Sequence, residues 1–383
     1  MNGEREARAA LHRRVRDFID ASEKGDITAE SFDELGLDIA RHQAEHVPAY
    51  RRLTSHRRCH PRDATSVREV PAVPTDAFRL TRIAAHTPSE DAAIFRTSGT
   101  TSGARGEHPL STTATYEKAA LAWGRWALFF DAPPAGTQPS FASVRTAIAL
   151  TPRRTLPLGD SSLHFMVQLF AADFAREACF LQLSPDTLAD PGELRARSAA
   201  ARHAGNAVVV MGASFAFVHV LDALGDEPLA LPEGSRIMHT GGFKGRSREV
   251  APSELLARMA ATFGVPQSAV VGEYGMTELS SQLYEGTWRA ARGLPTPSAR
   301  HGVFVAPPWM RVVAVDDDTL DPLPAGEAGI LRFEDLGNVD SALAVQTADR
   351  GRCAGSTVEL LGRLPGAPAR GCALAVEELM GSP

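Results

Sequence analysis

The first segment whose composition indicates a functional site is a loop rich in hydroxyls and glycines. Residues 97–103 read Thr-Ser-Gly-Thr-Thr-Ser-Gly and follow an apolar run at residues 92–95 that is expected to be a buried strand. Glycines let backbone N–H groups converge on an anion, and hydroxyls add donors that need no deprotonation. The segment lacks the spacing and the lysine of a Walker loop. It therefore predicts a phosphate-binding loop, with a flexible Ser/Gly linker as the alternative.

A second segment strengthens the interpretation of the first as a phosphate-binding loop. Residues 272–278 read Gly-Glu-Tyr-Gly-Met-Thr-Glu and follow another apolar run at residues 269–271. The two segments together resemble the phosphate loop and the YGxTE motif of the adenylate-forming superfamily, which includes acyl-CoA ligases. The sequence resembles the acyl-protein synthetases of bacterial luciferase operons more than it resembles phenylacetate-CoA ligases. Further matches, in order along the chain, are residues 71–78, 239–245, 362–366 and 370–372.

This resemblance implies an activity. The chain is expected to use ATP and Mg²⁺ to activate a carboxylic acid, either fatty or aryl, as an acyl adenylate. Carboxylate attack on the α-phosphorus builds charge that a metal ion, hydroxyls and backbone amides stabilise. The residues that the resemblance assigns to the nucleotide are Thr97, Ser98, Gly99, Thr100, Thr101, Ser102, Gly103, Gly241, Gly242, Tyr274, Thr277 and Asp349.

Four of the implied residues have specific roles. The resemblance places the Tyr274 ring on adenine, Thr277 on the α-phosphate, Glu278 on Mg²⁺, and Asp349 on the ribose hydroxyls. Three of them have a structural alternative, namely a core aromatic for Tyr274, a carboxylate at a helix start for Glu278, and a turn residue for Asp349. The family usually has Thr-Gly-Asp where this chain has Ala348 before the aspartate.

The sequence departs from the family near its end. Most adenylate-forming enzymes carry a catalytic lysine in a C-terminal domain, whereas no lysine follows Arg363 here. Its role is expected to fall to Lys244, to Arg363 or Arg370, or to no residue. The phosphate loop also continues into Ala-Arg at residues 104–105 where the family has Pro-Lys, and an arginine can neutralise phosphate as a forked donor.

A cysteine is a candidate acceptor of the acyl group in the second step of the reaction. In the acyl-protein synthetases the acyl group passes to a cysteine near the C-terminus, and Cys372 matches that position. A thiolate attacks an acyl phosphate anhydride readily, and Arg370 is expected to favour the ionised form. A structural thiol is the alternative, and Cys353 is the competing candidate.

Several functions remain open at this stage. The acyl group could end on Cys372, on a partner protein, on a carrier-protein thiol or on CoA. A ligase that delivers the adenylate directly to CoA or to an amine is a second possibility. A non-catalytic relative that binds nucleotide or acyl adenylate and acts through a partner is a third.

The elements around these motifs predict the fold class. Helical patterns at residues 113–130, 161–176, 193–203, 215–224 and 252–263 alternate with apolar runs at residues 144–150, 179–183, 207–211, 236–239 and 269–271. Such alternation predicts an α/β fold with a mostly parallel sheet covered by helices. Short extended segments after residue 291 predict a small β subdomain. The expected regions are residues 1–90 (helices and connector), 91–290 (α/β core), 291–362 (β subdomain) and 363–383 (C-terminal remnant).

Composition narrows the function classes. The 383 residues carry a formal charge of −6 with 44% hydrophobic residues, and the arginines are scattered, so nucleic acid is not an expected partner. Apolar runs are too short to span a bilayer, and the first twenty or so residues lack the pattern of a signal peptide. The four cysteines show no metal or disulfide spacing. A cytoplasmic enzyme with reduced thiols is expected.

Overall fold

The structure is a computed structural model that describes residues 2–97, 104–131, 144–151, 161–181, 191–241, 247–363 and 370–380. Its helices are α1 (Asn2–Lys24), α2 (Phe32–His46), α3 (Pro48–His56), α4 (Ala77–Leu80), α5 (Ala114–Ala127), α6 (Ser162–Phe174), α7 (Pro191–His203), α8 (Ser214–Leu224), α9 (Pro252–Phe263), α10 (Thr287–Ala291) and α11 (Arg370–Met380). Its strands are β1 (Val73–Pro74), β2 (Ala93–Arg96), β3 (Glu107–Leu110), β4 (Val144–Ala149), β5 (Glu177–Phe180), β6 (Ala207–Ala213), β7 (Arg236–Thr240), β8 (Val270–Tyr274), β9 (Leu283–Glu285), β10 (Val303–Val305), β11 (Met310–Val315), β12 (Ala328–Asp335), β13 (Ala344–Ala354) and β14 (Thr357–Arg363).

One mixed sheet forms the centre of the described structure. Its strand order is β11-β12-β13-β14-β10-β9-β8-β7-β6-β4-β5, and β1 pairs in parallel with β13. Strands β5, β4, β6, β7 and β8 are mutually parallel, whereas β9 to β14 pair antiparallel. The predicted α/β class is confirmed. Residues 291–362 supply β10 to β14, which continue this same sheet, and the division of the chain into four regions stays a prediction.

The parallel strands are apolar because helices cover them. Strand β6 is buried along nearly its whole length, and its Val209 and Met211 lie in one hydrophobic core with Phe217 of α8 and Phe263 of α9. Parallel sheets with both faces covered need this continuous apolar pattern. Helix α9 begins at Pro252 and ends at Phe263 as predicted, and Gly264 caps it with a positive φ of 61°.

The segment before the hydroxyl-rich loop is a strand, as predicted, but only alternate residues of it are buried. Strand β2 does not join the main sheet; it pairs antiparallel with β3 in a two-stranded hairpin. Its side chains alternate between buried and half-buried, because one face of the hairpin is not packed in the core. The loop therefore lies at the turn of a hairpin and does not follow a buried strand of the parallel sheet.

The buried carboxylate of Asp340 connects the N-terminal helix α1 to the rest of the fold. Asp340 accepts hydrogen bonds from the backbone N–H and the hydroxyl of Ser111, both at 2.8 Å. The Nε atom of Arg8 lies 3.7 Å from it, and Nε2 of His12 lies 3.3 Å from it. Burial alone would raise the pKa of Asp340, but His12, His86 and the Ser111 amide outweigh burial and lower it to about 2. The group is therefore ionised at neutral pH and holds α1 beside the start of α5.

Within the described ranges, no helix combines the length and the apolarity needed to cross a membrane.

The contacts of Asp340 predict how its substitution changes the stability of the fold. Asp340→Asn should lower the free energy of unfolding by about 1–3 kcal/mol at pH 7, because it removes the buried charge that accepts from Ser111 and lies beside Arg8, which keeps Glu90 as its partner. The lowered pKa means that the carboxylate stabilises the fold above pH 4 and loses this effect as pH falls towards 2. The difference between wild type and variant in urea unfolding should therefore narrow below pH 4. Asp226→Asn, at an exposed position, is the control, and equal losses in both variants would contradict the assignment.

Candidate functional site

Two adjacent parallel strands end beside each other and present the central motif residues. Thr240 at the end of β7 pairs with Glu273 of β8, so Gly241 and Tyr274 follow at the same edge of the sheet. Gly241 has a φ of +67°, a conformation that L side chains rarely adopt, and open space surrounds its Cα. Ligands of α/β proteins commonly bind where parallel strands reach their carboxyl ends.

A hydrogen bond joins two of the predicted residues across this edge. The Tyr274 hydroxyl donates to Oδ2 of Asp349 at 2.7 Å, although the two residues are 75 positions apart. The Tyr274 ring also stacks on Phe333, with ring centroids 5.6 Å apart and planes 14° from parallel. Burial and, after it, the neighbouring Asp349 raise the pKa of Tyr274 well above its usual value, so the hydroxyl keeps its proton and remains a donor.

Arg363 reaches the same place through strand pairing. Its Cα lies opposite the Cα of Asp349 in the β13–β14 pair, and its side chain is exposed. Residues directly opposite each other in an antiparallel pair have Cα atoms about 4.5–5.5 Å apart. The structure therefore brings Tyr274, Asp349 and Arg363 together.

The hydroxyl-rich loop is closed at its base by its own flanking residues. The backbone N–H of Thr97 donates to the carbonyl of Gly106 at 3.0 Å, and the N–H of Gly106 donates to the Thr97 hydroxyl at 2.9 Å. Arg105 Nε donates to the Thr97 carbonyl at 2.6 Å. These contacts use Thr97 and Arg105 to hold the neck of the loop. Outside the described residues are Ser98, Gly99, Thr100, Thr101, Ser102 and Gly103.

A buried histidine ties the hairpin of this loop to the second motif. His108 of β3 lies between the backbone carbonyl of Thr277, 2.7 Å from Nδ1, and the hydroxyl of Ser341, 2.9 Å from Nε2. A carbonyl only accepts, so Nδ1 carries the proton and Nε2 accepts from Ser341. Burial is the main cause that lowers the pKa of His108, to about 4, and the ring is neutral at pH 7. Sequence reasoning missed this role, because a single histidine after a loop matches no motif.

The predicted metal ligand, Glu278, is the residue that follows Thr277. Glu278 is buried, and its backbone carbonyl accepts from the Asn338 side chain at 2.9 Å. The described residues contain no group of three or more His, Cys, Asp or Glu arranged to hold a metal ion. Mg²⁺ often takes only one or two protein carboxylates and fills its shell with phosphate oxygens and water. A single carboxylate at Glu278, beside half-buried Thr277, suits that chemistry.

Glu273 is a further buried carboxyl that the sequence left without a role. The Thr240 hydroxyl donates to it, and burial raises its pKa to about 7 despite this bond. The motif at residues 272–278 indicated that this segment is functional but not that Glu273 has a role of its own. Its burial and its contact with Thr240 result from strand pairing.

Cys372 lies apart from these contacts. It is buried on α11 in a small apolar cluster with Val315 and Ile330, whereas Tyr274 packs against a different cluster. Burial raises the pKa of its thiol to about 11. The expectation of a favoured thiolate is therefore wrong for this conformation. Gly242 and Lys244 lie outside the described residues.

Two solved structures of one ligase share this fold. The chain aligns with an open conformation of 2-hydroxyisobutyryl-CoA ligase in complex with 2-HIB-AMP and CoA, with a TM-score of 0.60 over 86% of this chain and 74% of that chain, at 14% identity. The same ligase with 2-HIB-AMP and CoA in the thioesterification state gives a TM-score of 0.59 over 94% of this chain and 68% of that chain, at 15% identity. The protein has the fold of the adenylate-forming ligases.

Sequence similarity narrows this class. Residues 193–381 match the family described as "Acyl-protein synthetase, LuxE". The long-chain-fatty-acid–luciferin-component ligase of Vibrio harveyi is 24% identical over 189 residues, an alignment that covers 46% of this chain and 46% of that protein. The chain thus matches about half the length of this curated relative. The resemblance to acyl-protein synthetases is confirmed over this part of the chain.

The contact between Tyr274 and Asp349 can be tested by a double-mutant cycle. Tyr274→Phe and Asp349→Asn should each lower the free energy of unfolding by about 1–2 kcal/mol, because each weakens a hydrogen bond to a charged acceptor. The double variant should lose clearly less than the sum. Tyr116→Phe, whose hydroxyl donates to the neutral Ser162 carbonyl at 3.2 Å, is the control and should add to Asp349→Asn without coupling. Additive losses for Tyr274 and Asp349 would contradict the contact.

Proposed function

We propose that this protein uses ATP to activate a carboxylic acid as an acyl adenylate and then transfers the acyl group to a thiol. One observation carries the proposal. The hydrogen bond from Tyr274 to Asp349, next to the strand-end Gly241, joins the two residues to which the family resemblance assigns the adenine and the ribose. The acid is a fatty or an aryl acid, and the protein acts as a cytoplasmic enzyme.

The nucleotide site is largely prearranged by contacts within the protein. Tyr274 is already held on Phe333 and by Asp349, so little side-chain freedom is lost when adenine packs against the ring. Asp349 accepts from the tyrosine through one oxygen, Oδ2, and its carboxylate has further lone pairs for ribose hydroxyls. His108 fixes the backbone at Thr277, which keeps the Thr277 hydroxyl beside the phosphates.

The first step transfers the adenylyl group. A carboxylate oxygen of the acid attacks the α-phosphorus, the bond from the α-phosphorus to the bridging oxygen breaks, and pyrophosphate leaves. Thr277 and the donors of residues 97–103 stabilise the negative charge that develops on the phosphate oxygens. Glu278 is the residue that would hold Mg²⁺, which supplies further charge neutralisation when bound. Arg363, or Lys244, takes the place of the usual catalytic lysine.

The second step forms a thioester. A thiolate attacks the acyl carbonyl carbon, the bond from that carbon to the phosphate oxygen breaks, and AMP leaves; the thiol proton passes to solvent. Cys372 is the proposed first acceptor, before delivery to a partner protein, a carrier-protein thiol or CoA. Because Cys372 is buried and its pKa is about 11, α11 must move before this thiol reacts.

Polar contacts at the far end of α11 oppose this movement. Arg57 Nε donates to Glu378 Oε2 at 2.7 Å, and Arg52 Nε donates to the Leu379 carbonyl at 2.6 Å. The Arg57–Glu378 contact is a partly exposed ion pair, and such pairs contribute little to stability. Ala375 and Leu379 of α11 are fully buried in a hydrophobic cluster, so movement of the helix must also expose apolar surface.

The first step is tested by exchange of labelled pyrophosphate into ATP with a panel of fatty and aryl acids. Exchange should depend on one class of acid and on Mg²⁺, and Glu278→Gln should slow it by at least a hundredfold, because the variant loses a charge that acts on the transition state. Glu227→Gln, at a surface residue of an exposed ion pair, should exchange like wild type.

Exchange with none of the acids, in a protein that still binds ATP, would favour the non-catalytic nucleotide-binding function. The urea unfolding of Glu278→Gln serves as the folding check, because this side chain is buried.

The second step is tested by trapping the acyl enzyme. With ATP and a radiolabelled acid, the protein should carry an acyl group that neutral hydroxylamine releases. Cys372→Ser should abolish this label and keep pyrophosphate exchange. Cys353→Ser is a matched control, since burial raises the pKa of that thiol to about 11 as well. Full labelling of Cys372→Ser would exclude this cysteine, and loss of the label in Cys353→Ser would then assign the acyl group to Cys353. No labelling of the wild type would leave direct transfer to CoA, a carrier or an amine.

A further inference from the structure

A cleft on the N-terminal helix is lined by an unusual number of cations. Its volume is about 520 Å³, and its wall includes Arg5, Arg8, His12, Arg13 and Arg16 of α1. The opposite wall is formed by residues 89–92 and by Ser111, Thr112 and Ala114. A cleft of this volume is of the size that binds small molecules. The chain as a whole carries a charge of −6, so this concentration of positive charge is local.

The carboxylates of the cleft already have partners. Glu90 accepts from Arg8 at 2.7 Å, and Asp91 accepts from Arg82 at 2.6 Å. Asp91 also lies 2.8 Å from Nε2 of His86. Among the described residues, neither carboxylate forms an ion pair with Arg5, Arg13 or Arg16.

Three arginines of the cleft are left without a counter-charge. Arg5 and Arg13 are exposed and have no hydrogen bond or ion pair with any described residue, and Arg16 makes one hydrogen bond, to the Thr115 hydroxyl at 3.2 Å. His12, buried in the same wall, lies 3.3 Å from Asp340 through Nε2 but makes no aligned hydrogen bond there within the described ranges.

The spacing of these residues makes the arrangement costly without a ligand. Arg5 and Arg8 are three positions apart, as are Arg13 and Arg16, and His12 lies four positions from both Arg8 and Arg16. Residues three and four apart are neighbours on a helix surface, and like-charged arginines there repel each other, while Asp17 and Asp20, four positions after Arg13 and Arg16, offset part of this repulsion. An anion in the cleft would remove this repulsion and accept from several guanidinium groups, whose planar forks match phosphate oxygens.

We propose that this cleft binds a small phosphate-bearing anion, held by Arg5, Arg13 and Arg16 and by the hydroxyls of Ser111 and Thr112. It is a second site, because residues 92 and 111 flank the open end of the β2–β3 hairpin, whereas the hydroxyl-rich loop lies at the turn of that hairpin. Free phosphate or pyrophosphate and the phosphate end of a phosphorylated thiol such as CoA share the required chemistry. The site does not depend on the proposed activity.

Calorimetric titration of the full chain with phosphate, pyrophosphate and CoA, at constant ionic strength set with sodium chloride, tests the site. Arg13→Gln/Arg16→Gln should weaken binding of the preferred anion at least tenfold. Arg195→Gln/Arg197→Gln on α7, with the same change in charge, should bind as wild type does. Binding of these anions at the proposed nucleotide site is common to all three proteins and cancels in the comparison.

The relative affinities identify the source of the phosphate. Tightest binding of CoA, lost with Arg13 and Arg16, assigns the cleft to the phosphorylated thiol, and tightest binding of pyrophosphate assigns it to the free anion. Thermal unfolding of the cleft variant in chloride checks that it is folded. Equal affinities of wild type and cleft variant for all three anions, or no binding to wild type beyond that of chloride, would overturn the proposal. Pyrophosphate exchange reports separately on the adenylation activity.

Discussion

The hydrogen bond between the Tyr274 hydroxyl and the Asp349 carboxylate connects the two halves of the sheet at the point where the site is expected. Tyr274 ends the last parallel strand, and Asp349 lies in the middle of β13 among antiparallel strands. Asp349 also fixes the position of Arg363 through strand pairing. A nucleotide bound at this edge would therefore contact both kinds of strand, and its binding would depend on their relative placement.

Buried polar groups hold the hairpin of the hydroxyl-rich loop against this edge. His108 is kept neutral by burial and reaches Thr277 on one side and Ser341 on the other. Asp340, the residue before Ser341, is in contrast kept ionised by the histidines and the amide around it. The same short segment thus positions the loop of one motif, the backbone of the other and the N-terminal helix. This coupling explains how residues far apart in the sequence can form one site.

The sequence predicted the parts of the fold that have strong periodicity. The parallel strands and helices of residues 144–263 follow from continuous apolar runs and helical spacing, and α9 begins and ends where its proline and glycine require. Strand β13 was missed because its eleven residues mix charged, small and apolar types without alternation. The placement of β2 in a hairpin was also missed, since four apolar-leaning residues fit either kind of strand.

The candidate site was predicted where motifs name residues, and missed where only tertiary contacts give them a role. Tyr274 and Asp349 were expected to serve one nucleotide, and they are in contact. His108 and Glu273 acquire their properties from burial and from partners on other strands, which one sequence does not reveal. For Cys372 the sequence indicated the residue but not its burial, and burial reverses the expected reactivity in this conformation.

The most direct test of the proposed adenylate site is a crystal structure of the protein with a non-hydrolysable acyl adenylate analogue, such as an acyl sulfamate of adenosine. We predict adenine packed against the Tyr274 ring and the ribose hydroxyls within hydrogen-bonding distance of Asp349. An analogue bound away from Tyr274 and Asp349 would contradict it.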